Sequence, residues 1–190
     1  MPHNELLTLS SLKELVNLNG LYLAGFGWLF GMSVWVTFFG GVIAFRTLPR
    51  QQFGALQHKT FPVYFTQSIA LSAALLSIWI SKHPSVLANL HQPRLADVAQ
   101  AYALATVILA QGSNLFVVGP WTSKVMFKRH KLEKEEGVQY NDPKASAQMK
   151  ALTKQFGALH GVSSLFNLLA VIALGLHGLW LGNATSLSNI

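Results

Sequence analysis

Few residues of this 190-residue chain have the type and spacing for chemistry, and most of those stand in long apolar surroundings. His160, Ser164 and Asn167 recur at i, i+4 and i+7, which puts them on one stripe of a helix. Such a stripe either hydrogen-bonds a neighbouring helix or lines a polar site for a small ligand. Other polar residues at membrane depth are Ser33, Thr37, Gln67, Ser68, Ser72, Gln111, Ser113, Asn114 and Ser163. The histidines offer a redox alternative. His58 with His160, and His83 with His177, fall near matching ends of the same two apolar segments. Histidine is a common axial ligand, so either pair would suit a metal or haem if both rings faced inward. The plainer reading is an interfacial histidine with its polar tip in water.

Hydrolytic and phosphoryl-transfer chemistry have no support. The chain lacks Gly-x-Ser-x-Gly, a P-loop, His-Glu-x-x-His and clustered carboxylates. Glu133, Glu135 and Glu136 sit among lysines and arginines, as on a solvated helix face. Without cysteine there are neither disulfides nor thiolate metal sites. The chain is therefore read as no enzyme, with no cofactor.

The elements that must position these residues follow from composition and charge. Hydrophobic residues make up 51% of the chain and charged residues 11%, with a mean hydropathy of +0.37. A soluble domain carries about 25% charged residues, and a disordered chain is both more polar and more charged. Four stretches lack Asp, Glu, Lys and Arg altogether, at residues 15–45, 60–81, 98–123 and 155–190. About 20 apolar residues in a helix cross a bilayer core of ~30 Å. The expected fold is an all-α integral membrane four-helix bundle, one domain over residues 1–190. Its spans are set at about 20–45, 61–81, 98–119 and 156–181. No charge lies inside any of them, which weighs against an ion pump or a proton-coupled transporter. The first 45 residues hold one Lys, no Arg and two Glu, so no cleavable leader is expected.

Position also accounts for the net charge of +7. Lys13, Lys82 and Arg94 share one side of a four-span chain, and the other eleven basic residues fall in loops 46–59 and 124–154. The positive-inside rule makes those loops cytoplasmic and both termini lumenal. Anionic headgroups of membrane lipids are then the expected partners of the loops, and nucleic acid is not. Pro49 should end the first span, and Phe53 to Gln57 suit a short surface helix. Thr60 should cap the second span, with Pro62 in its first turn. Gly119-Pro120 should kink or end the third span. Beyond it a helical cytoplasmic hairpin is expected, its first arm stopping at Gly137 and its second starting with Asp142 as N-cap. Gly27/Gly31, Ala70/Ala74, Gly157/Gly161 and Gly178/Gly182 have the spacing of helix–helix contact faces. Asn183-Ala184-Thr185 is a glycosylation sequon too close to the bilayer for modification.

Several segments together carry a resemblance. They are Trp35 to Gly41, Arg46 to Arg50, Phe53-Gly54, Gln57 and Phe61 to Phe65. Pro120-Trp121-Thr122, Met126, Glu133 to Gly137, Phe156, and His160 to Leu165 with Asn167-Leu168 agree with them. Over residues 20–175 the chain resembles the transmembrane protein 205-like (TMEM205-like, DUF4149) family of small four-span membrane proteins. It departs from the mammalian members at His58, where a small polar residue is usual, and at Gly119, where an acidic residue occurs. The resemblance implies a four-helix bundle of the endoplasmic reticulum or a related endomembrane, without an established activity. By match to its motifs, Arg46, Pro49, Arg50, Gln57, Pro62, Tyr64, His160, Ser164 and Asn167 are the positions to watch. With Lys59 they make a candidate lipid- or partner-binding site at the cytoplasmic face. Arg46 and Arg50 would bind a lipid phosphate there, or simply anchor the helix ends. The resulting reading is an accessory bundle that binds lipid or a larger membrane complex. A transporter or efflux facilitator for a small solute or metal is the alternative, and a haem-bearing electron carrier the second.

Overall fold

The computed structural model describes Leu6 and residues 8–186, with side chains through Asn183. Four helices long and apolar enough to cross a membrane dominate it, at Leu18–Thr47, Arg50–Lys82, Ala96–Glu136 and Ala147–Asn183, and no strand occurs among the described residues. At 1.5 Å per residue the third is about 60 Å long, twice a bilayer core. It and its neighbours therefore project beyond the apolar layer at the end that carries most of the lysines and arginines, here termed the basic end.

Local chemistry sets the ends of the helices. Asn17 caps the first, its side-chain oxygen accepting from the N–H groups of Asn19 (2.9 Å) and Gly20 (3.0 Å). Leu48, before Pro49, takes an extended conformation and stops it. The second helix differs from expectation. It runs unbroken from Arg50 to Lys82, so Thr60 is no cap and Pro62 stands inside it. The proline removes the N–H that would bond the His58 carbonyl, a loss that membrane helices tolerate when neighbours re-satisfy the backbone.

Gly119-Pro120 does not end the third helix either. A π-helical turn at Asn114–Val118 precedes it, and the Gly119 N–H bonds the Asn114 carbonyl. The wider turn accommodates the donor missing at Pro120 and carries the helix on to Glu136. Gly137, at φ +66°, then closes it in the left-handed conformation that glycine adopts without strain. Asp142 is not the next N-cap. It folds back on the Lys144 N–H (2.8 Å) in a local turn, and Ser146 caps the fourth helix by accepting from Met149 N–H (3.0 Å). Asp-Pro favours such a turn over a helix start. From Ala147 the fourth helix then runs to Ser186 without a break. Asn183 is exposed near its end, and the sequon's Thr185 lies outside the described side chains.

The third helix packs between the second and the fourth, while the first lies against those two. Its buried stripe runs Val98, Ala101, Leu104, Val107, Gln111, Asn114 and Val118, at intervals of three and four. Small residues let the backbones approach: Ser33, Ser68 and Ser72 are buried in the interior, as are Ala101, Ala110, Ala170 and Ala173. The small-residue pairs picked from spacing behave otherwise. A Cβ added at Gly27, Gly31, Gly157, Gly161 or Gly182 would meet nothing within 4 Å, and Ala70 and Ala74 are exposed. Only Gly178 is tight, with Phe26 2.8 Å from where its Cβ would stand. Spacing marks a common face; it does not say which way that face points.

Gly119 has a demanding backbone position within the third helix, since a Cβ there would stand 2.5 Å from the Asn114 carbonyl oxygen. Gly119→Ala should destabilise the detergent-solubilised protein by about 1–3 kcal/mol. Gly112→Ala, with open space around it, should leave the melting temperature unchanged. Equal melting temperatures for the two variants would show that the π turn has room to adjust.

Candidate functional site

One polar residue from each long helix meets in the middle of the bundle. Tyr64 donates its hydroxyl to Asn167 Oδ1 (2.7 Å), and Gln111 Nε2 donates to the same oxygen (2.9 Å) and to the Tyr64 hydroxyl (3.2 Å). Asn167 Nδ2 donates to Thr37 Oγ1 (2.6 Å), whose hydroxyl in turn donates to the Ser33 carbonyl (2.6 Å). Each amide has a directional partner on another helix, so the cluster fixes the rotation of all four helices together. Asn114 adds a bond from Nδ2 to the Ser163 carbonyl (3.1 Å). Thr37 and Asn114 stand in the two π-helical turns, Trp35–Gly40 and Asn114–Val118.

Between this knot and the basic end the helices part around a cavity of about 1150 Å³. Thr37, Asn114 and Asn167 form its inner wall, with Tyr64 and Gln111 behind them in the packed core. Its sides are apolar, with Phe45, Phe53, Phe61, Phe65, Met126 and Phe156 among the lining residues. Towards the basic end the lining turns cationic, with Arg46, Arg50, Lys124 and Arg129. Among the described residues that line it there is no Asp or Glu. An apolar body with a few convergent polar groups is the usual make-up of a small-molecule site.

Arg50 and Arg129 are held by a packed aromatic and acidic frame. Arg50 Nη1 pairs with Glu133 Oε1, and the same carboxylate oxygen accepts from the Tyr140 N–H (2.9 Å). The Arg50 guanidinium lies 3.8 Å from the centre of the Tyr140 ring. Arg129 lies 4.6 Å from that ring and 4.3 Å from Phe156, and only 6% of it is exposed. The second and third helices nearly touch here. A Cβ on Gly54 would stand 2.9 Å from Met126 Sδ and 3.0 Å from His130 Cε1. Tyr140 comes from the turn between the third and fourth helices, so that connection forms part of the site.

The residues singled out from sequence distribute as follows. Arg46, Arg50, Gln57, His160, Ser164 and Asn167 line the cavity, with Pro62 beside them. Tyr64 belongs to the knot instead, and Lys59 is exposed and outside the cavity wall. Arg129, Tyr140 and Thr153 were not singled out. Val118, Val125 and Arg129 follow one another at intervals of seven and four, so the third helix's stripe would have reached Arg129 had the helix not been ended at Gly119-Pro120.

The histidines separate into different environments. His177 is fully buried, with Nε2 on the Tyr22 hydroxyl (2.6 Å) and Nδ1 on Gln100 Oε1 (2.8 Å). Both ring nitrogens are occupied, and Trp79 packs against both His177 and His83. The His83–His177 pair therefore does not fit an axial-ligand role. His58 bonds Ser123 through Nδ1 (3.0 Å), and His160 stacks on Phe156. Among the described residues no group of three or more His, Asp or Glu has metal-holding geometry.

The profile of the family described as domain of unknown function (DUF4149) matches residues 24–131 of this chain, more than half of it. The chain belongs to the DUF4149 family. Transmembrane protein 205 of Danio rerio is 28% identical over 181 residues, covering 88% of this chain and 92% of that protein. No solved structure matches. The matched DUF4149 region contains the Arg46–Arg50 corner, both π-helical turns and Arg129. Tyr140, Thr153 and the His160–Asn167 stripe lie beyond it.

The knot generates a quantitative expectation. A double-mutant cycle with Thr37→Val and Asn167→Leu should give a coupling energy of about 0.6–1.7 kcal/mol in detergent unfolding, the range of buried hydrogen bonds between membrane helices. Additive single-variant losses would show that the contact does not join the first and fourth helices.

Proposed function

We propose that this protein is a non-enzymatic, multi-pass protein of the endoplasmic reticulum or a related endomembrane. On this reading its basic-end cavity takes up the headgroup region of an anionic lipid, and it acts alone or as an accessory part of a larger membrane complex. The single observation that carries the reading is the acid-free, cationic lining above an apolar cavity. An anionic amphiphile matches both parts of that wall: its charge meets Arg46, Arg50, Lys124 and Arg129, and its hydrocarbon meets the phenylalanines. The same lining repels a metal cation, so efflux of a metal is disfavoured. The eleven basic residues at this end support a cytoplasmic placement for it, with both termini lumenal.

Native mass spectrometry of protein extracted gently from mixed phosphatidylglycerol–phosphatidylcholine membranes tests the binding reading. The wild type should retain the anionic lipid in excess of its share of the membrane. Arg46→Ala with Lys124→Ala should weaken that retention roughly 30-fold, at about 1 kcal/mol per basic residue. Retention in proportion to membrane composition would overturn the reading. The natural absence of cysteine makes the orientation equally testable. Lys144→Cys should react with an impermeant maleimide only from the cytoplasmic side, and labelling from the lumenal side would reverse the topology.

A further inference from the structure

We infer that the basic-end corner of this cavity is a subsite for a lipid phosphomonoester, built by Arg129, Arg50 and Thr153. The inference deepens the anionic-lipid reading and rests on it. Three side-chain atoms here are buried without a hydrogen-bond partner: Arg129 Nε, Arg50 Nη2 and Thr153 Oγ1. All three residues line the cavity. Leaving a buried donor unpaired is costly, and more so on a charged group, so three unpaired donors on residues that line one cavity point to a ligand that satisfies them as the side chains turn to it.

The geometry selects the ligand class. Arg50 lies over the Tyr140 ring, and Arg129 over the rings of Tyr140 and Phe156. A ring holds a cation without using up its hydrogen-bond donors, so Arg129 Nε and Arg50 Nη2 stay available to an oxyanion, and a guanidinium fork suits phosphate. The cavity also carries excess positive charge, with Arg46, Arg50, Lys124 and Arg129 in its lining. Among the described residues Glu133 is the carboxylate in contact, and it already serves Arg50 Nη1 and the Tyr140 N–H. A phosphomonoester carries about −1.5 to −2 charges at pH 7 and so compensates more of that excess than the single charge of a diester such as phosphatidylglycerol.

Thermal stability of the full-length protein in maltoside micelles, titrated with phosphatidic acid, phosphatidylglycerol, phosphatidylcholine or inorganic phosphate, tests this assignment. Phosphatidic acid should stabilise most, at the lowest concentration. Arg129→Gln should raise its half-saturating concentration roughly ten-fold or more, and Arg129→Lys should not restore it, because a point charge lacks the fork. Thr153→Val, similar in shape, should weaken phosphatidic acid several-fold while the ligand-free protein melts no lower than the wild type, because an unpaired buried hydroxyl is removed. This variant keeps the test valid should Arg129→Gln fail to fold. Equal responses to phosphatidic acid and phosphatidylglycerol, both insensitive to Thr153→Val, would overturn the subsite while sparing the broader reading. An equal response to inorganic phosphate at the same concentration would overturn the lipid assignment. No preference for either anionic lipid over phosphatidylcholine would sink the broader reading itself.

Discussion

A bilayer core holds no water, so a polar side chain there must find its partner inside the protein. This constraint organises the molecule around Thr37, Tyr64, Gln111 and Asn167, one residue from each long helix. Apolar packing in lipid distinguishes poorly between helix rotations, because lipid tails are as apolar as leucine. Directional amide and hydroxyl bonds do distinguish them. With rotation fixed at mid-depth, the small residues Ser33, Ser68, Ala101 and Ala170 turn inward. On the basic-end side of the knot the four helices then part, and the cavity opens there.

The two π-helical turns belong to the same arrangement. Each widens its helix next to the cavity, one carrying Thr37 into the knot and the other carrying Asn114 towards the fourth helix. The turn before Gly119-Pro120 also lets the third helix continue for another 18 residues. That extension brings Met126, Arg129 and Glu133 beside Gly54 and Arg50. A bilayer-spanning helix and a charged site beyond it are thus one element, joined at a glycine that has no room for a side chain.

Much of this was legible in the sequence, and the failures have physical causes. Four spans follow from uncharged stretches of 22 residues or more, and the capping role of Gly137 follows from its freedom at positive φ. The His160–Asn167 stripe was visible as polar residues at helical spacing, and Tyr64 through the resemblance to the family's motifs. Arg129 was hidden because Gly-Pro is read as a helix stop, and Lys124 to Glu136 then resembles a solvated charged face. Tyr140 lies in a turn with no periodicity to expose it. Asp142 and Ser146 are both good caps, and only the packed connection decides between them. The outward Gly27–Gly31 pair shows the same limit, since a spacing rule carries no direction.

On the proposal above, the basic-end cavity, and not the outer surface of the helices, receives the lipid. Photo-crosslinking with a phosphate-bearing lipid that carries a diazirine near its headgroup, followed by peptide mapping, tests it most directly. Labels should concentrate on residues facing the cavity, such as Phe53, Met126 and Phe156, and be few on Ile43, Val63 and Trp121, which are exposed outside its lining. Labelling spread over the outward faces in proportion to their exposure would contradict the claim.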